Sequence, residues 1–178
     1  MSKSPAPAPQ RTAPRAIGCA VTRRATMDDM AVIARIHRLA FFGAMPHMPV
    51  RHTPDEVLTF YTTVVFHKAE IWLAEQSGIT TGFIAFRHDW VDHLYIHPEH
   101  QGRGFGSTLL ALAQAPTDSL RLWTFQCNSG ARRFYEKHGF QIEQKTHGAN
   151  NEERQSDILY LWLRSTLTDD RNTLAPVS

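Results

Sequence analysis

Gln101-Gly102-Arg103-Gly104-Phe105-Gly106 stands between an apolar strand pattern and an apolar helix pattern, and it restricts the fold more than any other stretch. Leu94-Tyr95-Ile96 predicts a short strand that Pro98 ends. Phe105, Leu109 and Leu112 then recur at i, i+4 and i+7, which predicts a helix opening directly on the glycines. Small residues let successive backbone N–H groups converge, and the helix turns its positive dipole end toward the same point. Strand, glycine turn and helix in this order make a site for a phosphate or pyrophosphate anion.

Spacing removes two of the three familiar glycine loops. A Walker-type loop needs Gly-x4-Gly-Lys-Ser/Thr, and no lysine stands near these glycines. A dinucleotide fingerprint needs Gly-x-Gly-x-x-Gly. Counting from Gly102 the last position is Ser107, and counting from Gly104 it is Leu109. What remains is Gln-x-x-Gly-x-Gly after a Leu-x-Ile strand.

The 178 residues suit one compact domain, and 42% hydrophobic with 20% charged residues is the balance of an ordinary globule. A net charge of +2 asks for no nucleic-acid partner, and no apolar run approaches the roughly 20 residues needed to span a bilayer. Cys19 and Cys127 make no disulfide framework, which fits a reducing, cytoplasmic setting. Residues 1–16 are rich in Pro and Ala, lack acids and predict a disordered leader. The polar stretch 166–178 predicts a flexible tail, leaving 17–165 as the folded domain.

Along that domain, Ile17, Cys19 and Val21 predict a first strand. Met30, Ile33, Ala34, His37 and Phe41 share a helix face, on which His37 is expected as a partnered core or rim residue. Periodicity breaks from Phe42 to Thr53. Thr53-Pro54-Asp55-Glu56 then predicts a capped helix reaching about Phe66. The loop between these helices is either a solvated connector or, through His47 and Met48, a pocket wall. A hairpin follows from Glu70 to Arg87, then the strand ending at Ile96, the glycine-turn helix to Pro116 and a strand Leu120–Phe125. Ser129 opens a helix with Ala131, Phe134, Tyr135 and His138 on one face, Arg132, Arg133, Glu136 and Lys137 on the other, and Gly139 as its C-terminal cap. Phe140–Lys145 and Ile158–Leu163 are the final strands. The order β-α-α-β-β-β-α-β-α-β-β is an α/β fold with a mixed central sheet.

That order and three blocks resemble the Gcn5-related N-acetyltransferase (GNAT) superfamily from about Ile17 to Arg164. The blocks are Leu94-Tyr95-Ile96-His97-Pro98 with Gln101-x-x-Gly104-x-Gly106, Asn128 after the strand ending at Phe125, and Ala131-Arg132-Arg133-Phe134-Tyr135-Glu136-Lys137-His138-Gly139-Phe140. Asp92-His93-Leu94-Tyr95, Leu122-Trp123-Thr124-Phe125-Gln126 and Asn151-Glu152-Glu153 are also similar to segments of a bacterial subgroup whose acceptor is unassigned. The resemblance implies a GNAT fold, acetyl-CoA as co-substrate without a metal, and an amine acceptor, with a homodimer compatible. It implies pairing of the Leu94, Tyr95 and Ile96 main chains with the pantetheine arm. Pyrophosphate would rest on Gly102, Arg103, Gly104, Phe105, Gly106 and Ser107 beside Gln101, with Asn128 also at the cofactor. The Arg103 side chain is either a cation at the phosphates or a solvated surface group.

Acetyl transfer to an amine needs a base, an oxyanion site and a proton for the departing thiolate. By resemblance Tyr135 is the acid; the other reading is a ring packed in the helix–sheet core. Asp92 shares strand alternation with Leu94 and Ile96 and leads as the base. His93 has the more convenient ordinary pKa, about 6.5. Glu152, Glu153 and Asp157, in the loop before the last strand, would attract a cationic amine. His93, His97 and His100 lack the matching ligands of a metal site, and Cys127 lacks a nucleophile motif. Beside an acetyltransferase acting by direct transfer in a ternary complex stand a non-catalytic acyl-CoA sensor and a protein-lysine or N-terminal acetyltransferase.

Overall fold

The structure, a computed structural model, describes residues 21–165. The expected leader 1–16, the first-strand residues Ile17 and Cys19 and the expected tail 166–178 lie outside the described residues. The strands are β1 (Val21–Arg24), β2 (Glu70–Gln76), β3 (Ile79–Arg87), β4 (Trp90–Ile96), β5 (Ser119–Phe125), β6 (Gln141–Lys145) and β7 (Asp157–Leu163). They form one sheet in the order β1-β2-β3-β4-β5-β7-β6. Every neighbouring pair is antiparallel except β4 and β5, which are parallel.

Strand alternation divides the core between the two faces. Ile71, Leu73, Phe83 and Ala85 point to one side, where helix α1 (Met30–Ala44) packs Met30, Ile33 and Ile36. Ala74, Ile84, Phe86 and Val91 point to the other, against Phe105, Leu109 and Leu110 of α4 (Phe105–Gln114) and Tyr135 of α5 (Ser129–Lys137).

Local chemistry sets the helix boundaries. Thr53 Oγ1 accepts from the Glu56 N–H at 3.2 Å, and Glu56 Oε2 accepts from the Thr53 N–H at 2.8 Å. This reciprocal cap, with Pro54 at the first turn, opens α2 (Pro54–Phe60). The expected single helix continues through a π-helical turn, Tyr61–Val65, into α3 (Phe66–Lys68). Such a turn widens the backbone by one residue without ending the helix, and apolar periodicity does not register it. Helix α1 runs through Phe42 and Gly43 to Ala44, beyond the expected break.

Candidate active site

The sheet carries a seam. The β4–β5 register contains one pair, Trp90 with Arg121, so the two strands separate toward Ile96 and Phe125. Two adjoining clefts open along this separation. The first, about 600 Å³, runs over the glycine turn, with Ile96, Gly104, Gly106, Phe134 and Lys137 in its wall. The second, about 550 Å³, lies over β4, β5 and the β6–β7 loop. Phe41, Leu94, Tyr95, Asn128, Ala131 and Tyr135 line both and mark the junction.

The first cleft gathers a glycine turn, a helix N-terminus and a lysine. Gly102 and Gly104 hold φ of 73° and 89°, where an L side chain is strained, and Gly104 is the N-cap of α4. A Cβ on Gly106 would lie 3.2 Å from the Phe134 ring, so that glycine is needed for close packing against α5. Gln101 lines this cleft. Its Nε2 donates to the Ile96 carbonyl at 3.1 Å and ties the turn to the end of β4. Arg103 is exposed and does not line the cleft; the cation that does is Lys137, which sequence alone placed on the outer face of α5. His138 bridges the two helices: its Nδ1 lies 2.7 Å from the Phe134 carbonyl and its Nε2 2.8 Å from Ser107 Oγ. In the neutral ring Nδ1 is therefore the donor, and Nε2 accepts from the serine hydroxyl. Asn128 is the N-cap of α5, its Oδ1 accepting from the Ala131 N–H at 3.0 Å.

A space test follows at the turn. A Cβ on Gly104 meets nothing within 4 Å, so Gly104→Val injures the site through its backbone conformation and through the space offered to a ligand. Calorimetry with acetyl-CoA is expected to show an affinity loss of about tenfold or more, in a protein that still melts cooperatively. Unchanged affinity would remove the anion site from this turn.

The second cleft revises the base assignment. Between Phe86 paired with Val91 and Ala85 paired with His93, β4 carries one extra residue, Asp92. This bulge breaks the alternation that would have grouped Asp92 with Leu94 and Ile96. The Asp92 carboxylate also accepts two bonds from Arg87, each 2.7 Å, so it is not a free base. His93 lies in the cleft wall, and the rings of Tyr61, Tyr95 and His37 surround it at centroid distances of 5.3, 6.2 and 6.0 Å. Burial lowers the His93 pKa to about 4. Burial, then the neighbouring His93 and Arg38, lowers His37 to about 3. Both rings are neutral near pH 7. His37 is thus a core histidine, although its Nδ1 has no hydrogen-bond partner. His97 and His100 pair with each other at 5.7 Å, away from the His93 cage.

Tyr135 is 7% exposed at the junction of the clefts, and burial raises its pKa well above the ordinary phenol value. Phe41 and Met45, at the end of α1 and just past it, make the wall expected from His47 and Met48; His47 is exposed and Met48 is buried. Across the mouth, His52 Nε2 meets Glu152 Oε1 at 2.8 Å and joins the α1–α2 loop to the β6–β7 loop. Glu153 is part-buried, and its charge raises the Tyr95 pKa after burial has done so. Asp157 is 8% exposed and lines the cleft.

Residues 67–142 match the family model described as an acetyltransferase (GNAT) domain. A probable N-acetyltransferase of Mycobacterium tuberculosis is 36% identical over 85 residues, covering 43% of this chain and 49% of that protein. The chain thus spans about half the length of that relative. The fold is similar to the apo-form solution structure of YjaB from Escherichia coli, with TM-score 0.71, 18% identity and coverage of 83% of this chain and 99% of that one. It is also similar to PaiA N-acetyltransferase from Thermoplasma acidophilum in complex with coenzyme A, with TM-score 0.64, 18% identity and coverage of 82% and 99%.

Proposed function

From the premise that this chain belongs to the Gcn5-related N-acetyltransferase superfamily, we propose that it moves an acetyl group from acetyl-CoA to a small amine by direct attack in a ternary complex. The observation that carries this reading is the junction itself. A phosphate-type turn at the start of α4 leads along the open edge of β4 to a buried tyrosine, and a second cleft enters from the other side. The main chain from Leu94 to Ile96, without β5 partners in the register, supports pairing with a pantetheine arm, as does coenzyme A in the similarly folded PaiA structure.

In this mechanism the amine nitrogen attacks the thioester carbonyl, and a C–N bond forms as the carbonyl oxygen gathers charge. Backbone N–H groups near Ile96 offset that charge. The C–S bond then breaks, and the Tyr135 hydroxyl supplies a hydrogen bond or proton to the thiolate. The proton lost by the amine passes to neutral His93 and on to water, because a buried imidazole with a pKa near 4 does not retain it. Asp92, held by Arg87, shapes the bulge that presents His93. The second cleft is lined by the carboxylates Asp92 and Asp157 and by no Lys or Arg among the described residues, which favours a cationic acceptor over an anionic one.

The decisive experiment is amine-dependent release of free thiol from acetyl-CoA, alongside calorimetry of acetyl-CoA binding. Turnover with small amines is the expected result. Tight binding with no release across the panel would instead make the protein an acyl-CoA sensor.

A further inference from the structure

We infer that the Asp157 carboxylate anchors a second positive charge on the acceptor, so that the acceptor class is a diamine or another amine carrying an additional cation. This rests on reading the second cleft as the acceptor site. Asp157 opens β7, opposite Phe125 in the register, and lines that cleft while 8% exposed. A buried carboxylate is costly unless a cation or a full set of donors meets it. Its donors are neutral. The Thr146 hydroxyl donates to Oδ1, and Asn151 Nδ2 donates to Oδ2 at 2.8 Å. Two carboxylate oxygens offer about four lone-pair sites, so further acceptor capacity remains. No ion pair reaches Asp157 within 4.0 Å among the described residues.

Of the other acids around the cleft, Arg87 holds Asp92 and His52 meets Glu152, while Glu153 is part-buried and is not part of the lining. Asp157 is the lining carboxylate without a cationic partner among the described residues, and it is rigidly held. Thr146 Oγ1 also accepts from the Gly148 N–H at 3.0 Å. Asn151 is fixed at both ends by Gln155, through its carbonyl at 2.6 Å and its N–H at 3.1 Å. A loop that spends two polar side chains, Thr146 and Asn151, positioning one buried carboxylate toward a cavity is organised to receive a cation. The same lining includes the apolar Phe41, Met45 and Phe125, which suit the hydrocarbon linking two amines.

The test uses the CoA-loaded protein and three probes of similar length: putrescine, n-butylamine and γ-aminobutyrate. Calorimetry is expected to give putrescine about tenfold or more tighter binding than n-butylamine, with γ-aminobutyrate weakest. Asp157→Asn is expected to erase the putrescine preference. Because that change touches the Thr146–Asn151 network, Gln144→Lys is the second variant. It places a cation in the cleft wall without altering the loop, and it is expected to weaken putrescine more than n-butylamine. Equal binding of putrescine and n-butylamine by the unaltered protein, or an undiminished preference in both variants, would overturn the inference. Thiol release separates the two readings. Equal binding with efficient n-butylamine acetylation removes the Asp157 anchor and leaves the transferase standing. A putrescine preference without any thiol release supports the anchor while the transfer reading fails.

Discussion

Tyr135→Phe is expected to lower kcat by about ten- to a thousand-fold while acetyl-CoA affinity stays within about twofold. The substitution removes one oxygen and keeps a ring that packs against Phe140 and Tyr160 at centroid distances of 5.5 and 6.2 Å. Folding should therefore survive, and the effect should fall on turnover. Burial raises the Tyr135 pKa, so the hydroxyl keeps its proton across the neutral range. A thiol ionises near about 8.5, so a donor this weakly acidic acts first as a hydrogen bond to the developing thiolate. Single-turnover thiol release with calorimetric Kd for acetyl-CoA provides the check. Activity equal to that of the unaltered protein would return Tyr135 to a packing role.

Acidification is expected to destabilise the protein well before its carboxylates titrate. His37 and His93 ordinarily titrate at 6.5, and in the folded protein their pKa values fall to about 3 and about 4. Between the unfolded and folded values the unfolded chain binds more protons, so stability falls as pH falls through that window. Each histidine contributes a slope approaching about 1.4 kcal/mol per pH unit, and the pair about twice that. Below the folded pKa values both states are protonated and the contribution is spent. Urea unfolding in steps from pH 7 to pH 5 stays above the ordinary Glu value of 4.5, and His100, whose pKa burial also lowers, adds to the same slope. His37→Phe is expected to lower the slope by about one histidine's contribution. A stability that is flat over this range would show that the rings are protonated within the fold.

The glycine turn was legible because its demands are local: positive φ at Gly102 and Gly104 admits few other residues, and the helix starts on the next position. The Thr53-Pro54-x-Glu56 cap was legible for the same reason. The bulge at Asp92 was not legible, because it consumes a residue without a Gly or Pro to announce it. Alternation counted from Ile96 therefore does not describe Asp92, which lines the second cleft with its carboxylate held by Arg87. The π-helical turn at Tyr61–Val65 hides similarly, since its neighbours keep helical spacing. Lys137 was assigned outward from its helix position, yet the end of α5 lies beside the first cleft. By sequence Asp157 groups with Glu152 and Glu153 as loop acids drawing a cationic amine, but its burial was not legible, because the bonds from Thr146 and Asn151 span 11 and 6 residues and leave no periodic trace.

The Trp90–Arg121 pair also has a mechanical meaning. Other neighbours in the sheet, such as β2–β3 and β5–β7, share load across seven residue pairs. Across the β4–β5 joint a single stitch bears it, so the sheet behaves as two plates meeting at a compliant crease. A pantetheine arm laid along the open edge of β4 would act as a rivet, stiffening the crease without displacing a helix. Turnover then becomes a cycle of riveting and release, with softness concentrated at the line where the chemistry occurs.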